Sequence, residues 1–142
     1  MNPETIRVVR ASFAKIALIS DLAATLFYER LFAIAPEVRP LFADDLGRQK
    51  RALISTLQFA VEHLDRKEEL LPAVEQLGIR HVRYGVMPEH YPIVGSALLW
   101  TLEQGLGSAF TPQVRNAWTS VYEVLATTMQ TAAERAPAAL AT

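Results

Sequence analysis

The chain has 142 residues, about half of them apolar, a net charge of −1 and no cysteine. Its length fits one domain, and the lack of cysteine excludes disulfides, iron–sulfur clusters and thiolate catalysis. It has neither a basic surface for nucleic acid nor the run of about 20 apolar residues that a membrane span needs. The N-terminus lacks the pattern of a secretory signal, so we expect a cytoplasmic protein with no membrane span and no nucleic-acid partner.

Apolar residues recur three and four positions apart in the first half of the chain, which predicts helices rather than strands. Asn2 and Pro3 predict the capped start of a first helix. A second begins at Ser20 and ends before Pro36, and short turns follow as far as Pro40. The residues predicted to form the apolar stripes of these two helices are Ile6, Val9, Phe13, Ile16, Leu22, Leu26, Phe27 and Leu31.

The second half of the chain continues this pattern. A third helix is predicted from about residue 48 to 64, and a fourth from about 67 to 81 with Pro72 in its first turn. A fifth starts at Pro88 and ends near Gly105, and a last one starts at Thr111 with the stripe Val114, Trp118, Tyr122, Leu125 and Met129. The result is an all-α domain over residues 1–142, with a core of about 1–134 and an alanine-rich tail, 135–142, that is expected to fray.

A histidine lies on the apolar stripe of the fourth helix. At 100° per residue, Leu70, Val74, Leu77 and His81 share one face, and the helix then breaks at Gly85. One interpretation is a core histidine bonded to a carbonyl group, and the other is a metal ligand. Three histidines without cysteine make a poor zinc site. A porphyrin supplies four nitrogens itself, so it needs only one axial imidazole.

Two polar residues lie among apolar ones elsewhere. Gln49 lies one turn before Leu53 on the same face of the third helix. Its side chain either points into the mouth of a pocket or is solvated in the first helical turn. Tyr28 lies beside Phe27, where it is either a core tyrosine or a hydroxyl with a specific partner. His63 is about 21 Å farther along the third helix than Gln49, too far to share a small pocket, and is interpreted as a surface residue.

Five segments occur in the order and near the spacing found in bacterial globins. They are FYERLFAIAPEVRPLF, GRQKRAL, LPAVEQLGIRHVRYGV, HYPIVGSALL and AWTSVYEVLA. From Ile6 to Met129 the chain therefore resembles the bacterial single-domain haemoglobins and the globin domain of flavohaemoglobins. The resemblance implies a globin fold, with six to eight helices packed around a haem b group (iron protoporphyrin IX).

The resemblance assigns roles to particular residues around that haem. His81 matches the proximal histidine that binds the iron, and Phe42 matches the phenylalanine packed flat on the porphyrin. Tyr28 and Gln49 match the distal tyrosine and glutamine, which would donate hydrogen bonds to bound O2. Leu53 matches the apolar residue that limits the space over the iron.

On the proximal side the resemblance is less complete. Tyr91 matches a tyrosine that contacts the proximal histidine in flavohaemoglobins, and Val86 is assigned to the haem pocket with it. The second ring nitrogen of His81 is expected to donate to a backbone carbonyl or to Tyr91. Flavohaemoglobins add a glutamate from the last helix, but here Glu134 is out of register by one residue and Glu123 lies two turns or more too early. The resemblance does not extend to that glutamate.

The resemblance implies reversible binding of O2, CO and NO at pentacoordinate ferrous iron with high O2 affinity, as in an oxygen carrier or store. The alternative is nitric oxide dioxygenation with a separate flavin reductase. A globin-fold sensor without haem is a third hypothesis, disfavoured because His81, Phe42, Gln49 and Tyr28 occur together. No residue is assigned a firm catalytic role, and a monomer or weak homodimer is expected. The candidates to bind the haem propionates are Arg48, Lys50, Arg51, Arg80 and Arg83.

Overall fold

The computed structural model describes residues 1–140, with side chains as far as Arg135. Six α-helices follow one another: α1 (Pro3–Ala17), α2 (Ser20–Ile34), α3 (Gly47–Glu62), α4 (Lys67–Arg83), α5 (His90–Leu106) and α6 (Pro112–Leu140). Short 3-10 helices, Pro36–Leu41 and Gly107–Ala109, follow α2 and α5. No strand occurs in residues 1–140, so the prediction of an all-α domain is confirmed. The predicted frayed tail, 135–142, lies almost entirely outside the described side chains.

Side-chain caps occur at the starts of two helices, where the sequence predicts them. The Asn2 Oδ1 atom accepts a hydrogen bond of 2.8 Å from the Thr5 amide, and Pro3 occupies the first helical position of α1. At α6, the Thr111 hydroxyl oxygen accepts a bond of 3.2 Å from the Val114 amide. Each cap satisfies an amide that the first helical turn would otherwise leave without a partner.

Two predictions about individual residues are wrong. Leu22 is 55% exposed, because the faces that α2 buries against α5 and α3 do not include it. Pro72 lies inside α4, five residues after its start at Lys67, rather than in the first turn. A proline there removes the amide that would bond to the Glu68 carbonyl. Both residues are exposed, so water can reach the carbonyl in place of the missing amide.

The longest helix, α6, forms one side of the core. It packs against α4 and α1, and α2 packs against α5 and α3. The backbones of α4 and α6 approach closely at Gly78, where a Cβ atom would overlap the backbone carbonyl oxygen of Met129. Trp118 of α6 is almost fully buried, and its indole nitrogen donates to the Ser12 hydroxyl of α1 at 2.8 Å.

None of the described helices is, by itself, long and apolar enough to cross a membrane. Taken together, α1 and α2 meet the same length and composition criteria, but their axes are bent by 99° at the short break between them.

Candidate functional site

Two helices that are consecutive in the chain make little contact with each other. Helix α3 packs against α1 and α2, whereas α4 packs against α6, and the two helices make at most marginal contact with each other. Both carry apolar side chains that are only partly buried, among them Leu53, Leu57 and Leu77. Partly exposed apolar residues on two helices that make little contact with each other are what a site for a mostly apolar ligand requires.

The half-buried imidazole of His81 lies in the last turn of α4. Its Nδ1 atom is 2.7 Å from the carbonyl oxygen of Leu77, one turn earlier in the helix. A carbonyl oxygen can only accept a hydrogen bond, so Nδ1 carries the proton and Nε2 keeps a free lone pair. Burial lowers the pKa of His81, the bond to Leu77 opposes this shift, and the charge of Arg80 adds to it. The imidazole is therefore a neutral base in the form that binds metals.

The end of α4 explains how the chain turns after His81. The Gly85 amide bonds to the Val82 carbonyl, the Val86 amide bonds to the His81 carbonyl at 3.0 Å, and Gly85 has a φ of 91°. This is a Schellman motif, which requires a left-handed residue and therefore favours glycine. A Cβ atom at Gly85 would lie 3.2 Å from Leu41, so the segment that precedes Phe42 reaches this corner. The predicted break at Gly85 is confirmed.

An aromatic cluster joins α2 to the segment after it. Tyr28 is only 3% exposed, and its ring meets that of Phe42 edge to face with centroids 5.7 Å apart. Phe32 lies 5.4 Å from Phe42, and Phe27 lies 4.9 Å from Tyr28. Such edge contacts are the preferred geometry of aromatic pairs. The structure thus brings together Tyr28 and Phe42, which are fourteen residues apart in the sequence.

The phenol of Tyr28 has a polar neighbour. Burial raises the pKa of Tyr28 to about 12, and the nearby side chain of Gln49 opposes the shift. Gln49 itself is exposed in the first turn of α3. Since the phenol keeps its proton at any physiological pH, Tyr28 remains a hydrogen-bond donor.

Leu53, one turn after Gln49, is half buried and faces inward. It borders a small cavity of about 20 Å³, whose other lining residues include Phe27, Ile54, Leu98 and Trp118. A cavity of this size and lining holds one small apolar molecule at most.

Tyr91 lies in the first turn of α5 and is 8% exposed. Burial raises the pKa of its phenol. Its backbone carbonyl oxygen accepts a hydrogen bond of 2.6 Å from the hydroxyl of Tyr122 on α6. The sequence predicted Tyr122 only as part of the apolar stripe of the last helix. No local pattern indicates a hydrogen bond to a carbonyl group 31 residues away. Glu123 and Glu134 are both exposed.

The remaining polar candidates are exposed or only partly buried. The side chain of His63 is 17% exposed, stacks on Phe59 with centroids 4.1 Å apart and places Nδ1 2.8 Å from the Phe59 carbonyl oxygen. His63 therefore lies at the surface but is partly buried, and it packs against the end of α3. The propionate candidates Arg48, Arg51, Arg80 and Arg83 are exposed and Lys50 is half buried, so burial does not choose among them.

The residues present fit a porphyrin better than a bare ion. In residues 1–135 no three side chains of the kinds that bind metals come together, and a protein zinc site needs three or four of them. A single neutral imidazole on a helix with partly exposed apolar residues is instead what a flat macrocycle with four nitrogens of its own requires. The fold is an all-α domain, and its residues fit such a cofactor.

Comparison with known proteins agrees with this class. The model of the globin family matches residues 25–129, and the chain therefore belongs to the globin family. Flavohemoproteins from Rhodopirellula baltica and Pseudomonas putida are 36% and 37% identical to it over 129 and 130 residues. These alignments cover 89% of this chain but 32% and 33% of the relatives. The chain thus spans about a third of the length of the curated relatives it matches.

Solved structures share the fold over almost the whole chain. One is an engineered carbene transferase derived from a candidate nitric oxide dioxygenase of Rhodothermus marinus. It has a TM-score of 0.89 and 30% identity, and the match covers 100% of this chain and 99% of that one. A bacterial globin from Campylobacter jejuni has a TM-score of 0.84 and 26% identity, with 94% and 97% covered. The prediction of a globin fold is confirmed.

Proposed function

We propose that this globin holds haem b through Nε2 of His81 and binds O2, CO and NO reversibly, with high O2 affinity, as an oxygen carrier or store. One observation carries the proposal: the hydrogen bond from Nδ1 to the Leu77 carbonyl leaves a half-buried, neutral imidazole with a free Nε2 lone pair in the last turn of α4. We also propose that the protein is cytoplasmic and is a monomer or a weak homodimer.

The pocket residues divide between the two faces of the proposed haem. Ferrous haem with one axial imidazole has an open sixth position for a diatomic ligand. Phe42, held by its edge contact with Tyr28, would pack on the ring. Val86 is placed beside His81 by the hydrogen bond from its amide, and Tyr91 lies in the helix that starts after the same turn.

The distal residues would act on the ligand. A diatomic ligand that gains negative charge accepts hydrogen bonds from the protonated phenol of Tyr28 and the amide of Gln49. Each bond to a charged acceptor is worth about 1.5–3 kcal/mol, and about 1.4 kcal/mol corresponds to a tenfold change in an equilibrium constant. Leu53 would limit the space available and exclude water. Two donors would therefore slow the escape of O2 more than that of CO, which gains less negative charge.

Absorption spectroscopy of the purified protein tests the proposal. Ferric, deoxy-ferrous, O2-bound and CO-bound samples should give distinct haem spectra, with a pentacoordinate deoxy form. His81→Ala should abolish or greatly weaken haem uptake, whereas His63→Ala, which removes an imidazole that stacks on Phe59 and lies 2.8 Å from its carbonyl oxygen, should take up haem normally. Equal haem uptake by His81→Ala and the wild type would refute the proposal.

A second function, nitric oxide dioxygenation, is supported by the similarity to flavohemoproteins and to the candidate nitric oxide dioxygenase of Rhodothermus marinus. The balanced reaction is NO + O2 + e⁻ → NO3⁻, so each turnover needs one electron. A separate flavin reductase would supply it. Tyr28 and Gln49 would hold O2 in place while NO enters past Leu53.

The two functions differ in their dependence on a reductant. With a flavin reductase present, a dioxygenase should form many equivalents of nitrate per haem, and the yield should scale with the NO added. A carrier should form no more than about one equivalent before the ferric form accumulates.

A further inference from the structure

Arg39 donates hydrogen bonds to three consecutive backbone carbonyls of the segment that follows it. Its Nη1 atom lies 3.3 Å from the Phe42 carbonyl oxygen and 3.0 Å from that of Ala43, and its Nη2 atom lies 3.1 Å from that of Asp44. The side chain is half buried. The planar fork of a guanidinium presents its N–H donors at fixed angles, which suits a row of carbonyl oxygens. One side chain therefore holds the backbone of residues 42–44.

The same guanidinium packs on the aromatic cluster. Its central carbon lies 5.0 Å from the ring centroid of Phe32, within the range of a cation–π contact. Phe32 in turn lies 5.4 Å from Phe42, ring centroid to ring centroid. Arg39 therefore restrains Phe42 twice, at its carbonyl oxygen directly and at its ring through Phe32.

The backbone of residues 42–44 has few other restraints. Within the part of the chain that the structure describes, no backbone amide donates to the carbonyls of Phe42, Ala43 or Asp44. The Phe42 amide does bond to a carbonyl, at 3.1 Å, but this carbonyl is that of Arg39 itself. Arg39 is therefore the main polar attachment of these residues to the rest of the domain.

Residues 42–44 lead into the first turn of α3. The N-cap residue of α3 offers no side-chain hydrogen bond, and the Gly47 amide bonds to the carboxylate of Asp45, at 2.8 Å, within the same loop. Gln49 lies in this first turn, near the phenol of Tyr28. Because the start of α3 is held by its own loop, the position of Gln49 depends on the position of residues 42–44.

We propose that Arg39 is a positioning residue for the pocket: its guanidinium fixes residues 42–44, and through them the ring of Phe42 and the turn of α3 that carries Gln49. The effect on a bound ligand rests on the proposed function, because Phe42 and Gln49 would flank a haem only if His81 binds one. The restraint on the backbone does not depend on haem. Arg39 acts through backbone carbonyls and needs no contact with the ligand.

The test compares Arg39→Met with a matched control, Arg10→Met. Arg39→Met removes the charge and the donors but keeps a long, flexible side chain that can pack on the aromatic cluster. Arg10 is also half buried and also donates to consecutive carbonyls, those of Val61 at 3.2 Å and Glu62 at 3.0 Å, and to the carboxylate of Asp65. These acceptors lie at the other end of α3, away from the pocket residues.

Two measurements separate positioning from general stability. In the protein without haem, hydrogen exchange of the Phe42, Gly47 and Lys50 amides should be about tenfold faster in Arg39→Met than in the wild type, as expected for the loss of a hydrogen bond from a charged donor. In the ferrous CO complex, the C–O stretching band, which responds to polar groups near the ligand, should shift in Arg39→Met. Arg10→Met should lower thermal stability but change neither measurement.

The outcomes are distinguishable. If the wild type takes up no haem, the proposed function fails, and unchanged exchange at the three amides would then refute the restraint by Arg39 as well. If the wild type takes up haem, and Arg39→Met lowers thermal stability only as Arg10→Met does while the exchange and the C–O band stay unchanged, this inference fails and the proposed function stands. Faster exchange with an unchanged C–O band would also overturn it, because residues 42–44 would then not position the pocket.

Discussion

The indole N–H of Trp118 donates to the hydroxyl oxygen of Ser12 at 2.8 Å, across 106 residues of sequence. The Ser12 hydroxyl in turn donates to the carbonyl oxygens of Val8 and Val9 in its own helix. Both side chains are buried. The bond attaches α1 to α6. It also provides a partner for the indole nitrogen, the one polar atom of the buried Trp118 side chain.

Ser12→Ala should leave the indole N–H buried without a partner and lower the free energy of unfolding by about 1–3 kcal/mol. In the Trp118→Phe background the same substitution should cost well under 1 kcal/mol, because no unsatisfied donor remains. Urea unfolding of the four proteins of this double-mutant cycle measures the difference. Equal costs in both backgrounds would show that the bond contributes nothing.

Gly78→Ala should destabilise the protein although alanine is the better helix former. The new Cβ atom would overlap the backbone of Met129, which cannot rotate away, so α4 and α6 must separate. Overpacking of this kind costs about 1–3 kcal/mol, more than the roughly 1 kcal/mol that alanine gains in helix propensity. Gly47→Ala is the matched control, because its Cβ would meet the Asp45 side chain, which can move. Thermal unfolding of both variants is the measurement. A Gly78→Ala protein more stable than Gly47→Ala would contradict the prediction.

Acid should destabilise the protein without haem through His81. Its pKa is lowered in the folded state, chiefly by burial, so the unfolded chain binds a proton at a pH where the folded one does not. Stability should therefore decline as pH falls below about 6.5, the unfolded value, and level off below the folded pKa. His81→Leu should lack this component. The measurement is the free energy of unfolding between about pH 7.5 and 5, and identical pH profiles for the two proteins would rule the mechanism out.

Tyr28→Phe should raise the O2 dissociation rate of the haem protein about tenfold or more, since it removes one charge-assisted hydrogen bond. The CO dissociation rate should change less. Tyr84→Phe, which removes the hydroxyl of a tyrosine that is 60% exposed, is the control and should leave both rates unchanged. Flash photolysis and stopped-flow mixing give these rates, and an unaltered O2 rate would exclude Tyr28 from ligand stabilisation.

The buried phenol of Tyr28 should titrate late. Its pKa is raised to about 12, so the ultraviolet difference between wild type and Tyr28→Phe should show phenolate forming with a midpoint near 12. An exposed tyrosine would titrate near 10. Because the folded pKa exceeds the unfolded one, Tyr28 should destabilise the fold as pH rises from about 10 to 12. A midpoint near 10 would mean that the phenol is not buried as described.

Several features of the site could be predicted because their signals are local. The stripe of Leu70, Val74 and Leu77 directs His81 inward, and Gly85 marks the end of its helix through the left-handed backbone that a Schellman motif requires. The bond from His81 to the Leu77 carbonyl is also local. The sequence alone did not decide whether the acceptor is a backbone carbonyl or Tyr91. Both partners were compatible with the spacing, and only the direction of the ring in the folded helix distinguishes them.

The sequence by itself determined the helical class of this protein, its helix ends at Asn2, Gly85 and Thr111, and which face of α4 carries His81, because caps and apolar periodicity act within one or two turns. Only the tertiary structure decided that α6 lies against Gly78, that Tyr122 bonds to the Tyr91 carbonyl and that Leu22 faces solvent. Those relationships depend on how whole helices pack, and packing brings together residues 30 or more positions apart that carry no pattern in common.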